Sequence, residues 1–125
     1  MMVASRIFTS FVGVTYVGFS MWCTLQPQKT ALTIGFELKP GSGQSEYLVV
    51  YGGLQLALGC IFLLPLLRPD FLRSALLICV IVHGSLVLFR GISIGLYGHL
   101  DNITYALSAL ELSLLVISAI LLGTK

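Results

Sequence analysis

Residues 74–98, SALLICVIVHGSLVLFRGISIGLYG, decide the fold. The run is longer than the roughly 20 residues that carry a helix across a bilayer. It contains one permanent charge, Arg90, with His83 two turns before it on the same helical stripe. A guanidinium inside a hydrocarbon-like segment costs several kcal/mol unless a partner or water receives it. The rest of the chain must therefore supply that partner.

Composition places the whole chain in the same environment. Of 125 residues, 57% are hydrophobic and 10% charged, with a mean hydropathy of +0.99, which excludes an ordinary soluble domain. Three more apolar segments reach spanning length: 7–28, 47–67, and 102–124, the last interrupted only by Glu111. The expected fold is all-α, an integral membrane antiparallel four-helix bundle. It forms a single transmembrane domain over 1–125, with helices near 4–26, 45–67, 71–96 and 101–123 and an outward loop at 27–44. Basic residues scattered singly give neither a nucleic-acid patch nor a polybasic lipid cluster. Cys23, Cys60 and Cys79 fall in three different spans without paired spacing, as expected of buried thiols.

Each span carries a stripe that differs from the surrounding apolar surface. In the first, Thr9, Gly13, Tyr16, Ser20 and Cys23 recur at four-three spacing, a row of small and polar groups suited to close helix contact in lipid. This span has the look of an uncleaved signal anchor, without an Ala-x-Ala cleavage pattern. In the second, Tyr47 and Tyr51 suit the headgroup boundary, while Gly52, Gly53 and Gly59 mark helix packing. In the third, Cys79, His83, Arg90, Ser93 and Tyr97 share a stripe, and in the fourth Thr104, Ser108, Glu111 and Ser118 do. Pro27, Pro40, Gly41 and Gly43 punctuate the long connection, whose stretch 30–38 suits a short interfacial segment. Pro69 ends the second helix and Asp70 is placed to cap the third. With the N-terminus inside, Arg6, Arg68, Arg73 and Lys125 lie on the cytoplasmic side and Lys29 and Lys39 opposite, so both termini are expected in the cytoplasm.

The short 96–102 connection makes the third and fourth helices antiparallel neighbours. At about 1.5 Å per residue, Arg90 lies roughly 12 Å below Gly98 and Glu111 roughly 15 Å below Asp101, so both reach similar depth. A guanidinium fork matches a carboxylate with two hydrogen bonds, which removes most of the cost of either charge alone. Glu46 enters from the same face as a second candidate partner. Tyr51, Gln55 and Ser93 are placed to satisfy remaining donors and acceptors, and His83 lies deeper on the Arg90 stripe. Two readings stand side by side: a clasp that fixes helix register, or the floor of an outward-facing cavity that receives an amphipathic ligand.

Several chemistries lack their residues. No Cys-x-x-Cys supports thiol redox exchange. Two histidines, His83 and His99, do not assemble a metal or haem set, so neither a metal site nor a cofactor is expected. Phosphate loops and nucleophile motifs are missing as well.

The run 45–59, SEYLVVYGGLQLALG, with Arg73-Ser74-Ala75-Leu76, Phe89-Arg90-Gly91-Ile92-Ser93 and Leu110-Glu111-Leu112, resembles a group of small bacterial four-helix membrane proteins filed as a domain of unknown function. The matching positions are Glu46, Tyr51, Gly52, Gly53, Gly59, Arg90, Ser93 and Glu111, over most of the chain after Gly41. Phe89 departs from the small residue that often precedes the arginine, and Tyr47-Leu48 from a basic residue after the first glutamate. The resemblance implies the bundle, the polar network and a bacterial inner-membrane location, and assigns no activity. The expected role is a non-enzymatic accessory or structural subunit whose Glu46, Arg90 and Glu111 network holds a lipid-like or quinone-like molecule. Its partners would be the lipid bilayer and a membrane protein or second copy, with no nucleic acid. The alternative is a small proton-coupled transporter or redox-linked membrane enzyme using Glu111 and His83.

Overall fold

The structure, a computed structural model, describes residues 1–124; Lys125, counted above in the charge bias, lies outside the described residues. The chain folds into α1 (Met2–Leu25), α2 (Pro27–Thr33), α3 (Ser42–Leu67), α4 (Leu72–Tyr97) and α5 (Asn102–Gly123), with a 3₁₀ turn at Pro69–Phe71 before α4. No strand occurs among the described residues. Four of these helices, α1, α3, α4 and α5, are long and apolar enough to cross a membrane. Helices suit that setting because they satisfy every backbone donor and acceptor internally, where lipid offers none.

The connection after α1 is more ordered than a solvated loop. Pro27 opens α2, Gly35 ends it with φ +93°, and α3 begins at Ser42, three residues before the expected 45. Thr30 and Ala31 of α2 are buried, and the Tyr47 hydroxyl donates to Thr30 Oγ1 at 2.9 Å. The segment 27–44 is therefore docked on the end of the bundle rather than standing out from it. Asp70 lies in the 3₁₀ turn and makes no side-chain cap to α4.

The tightest contacts pair α1 with α3 and α4 with α5, while α4 touches α1 and α3 more lightly. In the first pair Gly13 meets Gly59, Ser20 Oγ donates to the Gly52 carbonyl at 2.7 Å, and Cys23 lies against Tyr47. Numbers rise on one helix as they fall on the other, so the pair is antiparallel. A side-chain atom at Gly59 would lie 2.5 Å from Val17 Cγ2 and 3.1 Å from the Gly13 carbonyl, which is why both positions lack one. Gly52 serves the same purpose against Thr24, within a π-helical stretch at Leu48–Leu54. Gly53, also expected at a helix contact, is exposed with nothing within 4 Å: it lies one residue, or about 100°, round the helix from Gly52.

Burial is uneven along the bundle axis. Val12, Phe62, Cys79 and Leu114, one from each long helix, form a core in the half that holds the ends of the chain. A second core, built on Cys23, Ala31 and Tyr47, lies in the opposite, loop half and draws on α1, α2 and α3 only. On α4 the buried residues are Leu72, Ala75, Leu76, Cys79 and His83, and on α5 they are Leu114 and Ser118. Beyond His83 on α4, and before Leu114 on α5, no residue is buried. The two helix pairs are thus packed closely in the terminal half and more openly in the loop half.

Candidate functional site

Arg90 and Glu111 lie in that open half. Arg90 Nε donates to Glu111 Oε2 at 2.9 Å and Nη2 to Oε1 at 3.1 Å, a parallel two-bond fork across α4 and α5. The side chains are 31% and 14% exposed, so water or lipid reaches the guanidinium more than the carboxylate. Each carboxylate oxygen receives one of these bonds. The guanidinium has five N–H groups, and those beyond these two find no protein partner among the described residues. Tyr51 of α3 is half-buried. Its ring stacks on Tyr47 with centroids 4.6 Å apart and meets Phe36 edge-on at 5.8 Å.

Other residues expected in the network lie elsewhere. Glu46 is exposed and forms no ion pair among the described residues, because the first turns of α3 turn Tyr47 inward and leave its neighbour on the outer surface. Gln55 and Ser93 are half-buried without side-chain hydrogen bonds among the described residues. The charged pair therefore joins α4 to α5 and does not extend to a carboxylate on α3.

His83 belongs to a separate cluster in the packed half. It is 1% exposed; its Nδ1 lies 2.9 Å from the Cys79 carbonyl and its Nε2 3.0 Å from the Tyr16 hydroxyl. A carbonyl only accepts, so Nδ1 carries hydrogen; in the neutral ring Nε2 then accepts from Tyr16. This bond ties α1 to α4, and Phe62 packs beside both rings. Both residues stand on the polar stripes visible in the sequence, but nothing there indicates that the two stripes face each other. Tyr16→Phe is expected to leave a buried ring nitrogen without its donor. The loss is about 1–2 kcal/mol, seen as a lower midpoint in thermal unfolding followed by circular dichroism.

Two open clefts lie at the other end of the bundle, one along Val3, Arg6, Ile7, Ser10 and Leu66, the other between the start of α1, the 3₁₀ turn and the end of α5. Neither includes Arg90. No group of three or more metal-ligating side chains occurs among the described residues.

The sequence pattern of the family described as domain of unknown function DUF4345 matches residues 4–122. The chain belongs to that family. The match takes in α1 and α2 as well as the region after Gly41, so the DUF4345 pattern covers both helix pairs and the docked connection. No curated protein and no solved structure matches the chain.

Proposed function

We propose that this DUF4345 protein is a non-enzymatic accessory or structural subunit of a bacterial inner membrane, with both termini cytoplasmic, that holds a lipid-like molecule in its open half. The observation that carries this is the position of the Arg90–Glu111 fork. It stands where no residue of α4 or α5 is buried, with guanidinium donors to spare. Ionisable groups at membrane depth are functional candidates by default. A clasp alone would be served as well inside the packed half, where water and lipid do not reach it. Proton-coupled transport through Glu111 and His83 has less support. Both oxygens of Glu111 are engaged by Arg90, and His83 bonds to Tyr16 and Cys79 rather than to either charge, so no proton path joins the two.

Native mass spectrometry of the protein purified in mild detergent tests this. A small amphipathic molecule is expected to stay bound to the wild type and to be lost from Arg90→Met/Glu111→Met. Equal retention by both proteins would place the molecule elsewhere and leave the fork as a clasp.

A further inference from the structure

The chemistry of the group that docks at Arg90 follows from the charge and hydrogen-bond balance of the fork, and rests on the binding in the open half proposed above. Arg90 and Glu111 together are electrically neutral, yet their hydrogen bonds are not balanced. Three guanidinium N–H groups remain free against about two carboxylate lone-pair sites, and the guanidinium is the more exposed partner at 31% against 14%. The fork thus presents mainly donors, without net charge.

An anion gains little there. A phosphate or carboxylate would lose its water against a neutral pair. It would meet a full positive charge only by displacing Glu111, whose own carboxylate would then stand half-buried and unpaired. An uncharged carbonyl oxygen accepts one or two N–H bonds and leaves the fork intact. Depth points the same way. At about 1.5 Å per residue α4 is roughly 39 Å long, so centred on a hydrocarbon layer of about 30 Å it places Arg90 roughly 6 Å inside the boundary. Headgroup phosphates lie outside that boundary.

We infer that the open half selects an uncharged carbonyl acceptor borne on an apolar tail, with Arg90 donating to the carbonyl and Glu111 holding the fork in place. Two kinds of membrane molecule carry that group: a quinone, and a glycerolipid through its acyl esters.

The test titrates the full-length protein in detergent with four probes read by native mass spectrometry: a short-tailed ubiquinone, diester phosphatidylcholine, its diether counterpart and diester phosphatidylglycerol. The two phosphatidylcholines differ only in the ester carbonyls. The quinone or the diester lipid is expected to bind about tenfold more tightly than the diether lipid, and phosphatidylglycerol no more tightly than diester phosphatidylcholine. Whichever of the quinone and the diester binds identifies the source of the carbonyl. Arg90→Met/Glu111→Met is expected to weaken that binding by about tenfold. The diester and diether comparison needs only wild-type protein, so it decides even if the double variant folds poorly. Equal binding of diester and diether lipids, with the quinone no tighter, overturns the carbonyl assignment. Preference for phosphatidylglycerol that disappears in the double variant overturns it too, while leaving the fork as a binding site. Binding unchanged by the double variant, or no binding of any probe, removes the binding site at the fork and the carbonyl together.

Discussion

Arg90→Met is expected to destabilise the protein by about 2–4 kcal/mol, somewhat less than removal of one partner from a fully buried pair, because the guanidinium is 31% exposed. The loss comes from Glu111. Its carboxylate is left on a half-buried face with neither of its two charge-assisted bonds. Adding Glu111→Met removes the stranded group, and replacing both charges with apolar side chains of similar reach often costs little. The double variant is therefore expected to recover to within about 1 kcal/mol of wild type, and the two substitutions to be strongly non-additive. Thermal unfolding of the wild type and the two variants in one detergent measures this. Identical midpoints for all three would mean that the fork contributes nothing to stability.

Gly59→Ala is the second large effect. An added methyl would meet Val17 Cγ2 at 2.5 Å, the Val17 backbone nitrogen at 3.0 Å and the Gly13 carbonyl at 3.1 Å. Two of these are backbone atoms, so relief requires α1 and α3 to move apart rather than one side chain to turn. Overpacking of this kind costs about 1–3 kcal/mol, against a helix-propensity gain of up to about 1 kcal/mol for alanine over glycine. A net loss of about 1–2 kcal/mol is expected, measured by thermal unfolding. Gly91→Ala is the control. Nothing lies within 4 Å of that position, so only the propensity gain remains and the midpoint should hold or rise. A similar drop in both variants would show that the close approach at Gly59 is not the cause.

The pairing of Arg90 with Glu111 was legible because it depends on two quantities a sequence carries: residue count from a shared short connection, and the rise of a helix per residue. Neighbouring antiparallel helices convert equal counts into equal depth. Glu46 enters from the same face but lies only about one turn into α3, above the level of the fork, and its rotation is wrong as well. It precedes Tyr47, whose ring is 4% exposed and bonded to Thr30, and that inward turn fixes the glutamate outside. The glycines divide for the same reason. Gly13, Gly52 and Gly59 share the face on which α1 and α3 meet, while Gly53 is rotated off it. His83 and Tyr16 were each visible as polar residues on a stripe, but their bond depends on α4 packing against α1, a contact between helices distant in sequence.

The sequence by itself determined that four apolar helices would cross a membrane, that consecutive ones would run antiparallel, and that one arginine and one glutamate would descend to a common depth. These follow from segment length, connection length and helical rise, all local. Only the tertiary structure decided how far the two helix pairs close on one another. Apolar side chains on α4 and α5 suit lipid and protein contact equally well, so composition does not say which half is packed. That is settled by which shapes interlock. The residues from Leu72 to His83 and the pair Leu114 and Ser118 fit against α1 and α3, while the stretches that carry Arg90 and Glu111 do not. The result is a charged fork that stays partly exposed rather than sealed in a core.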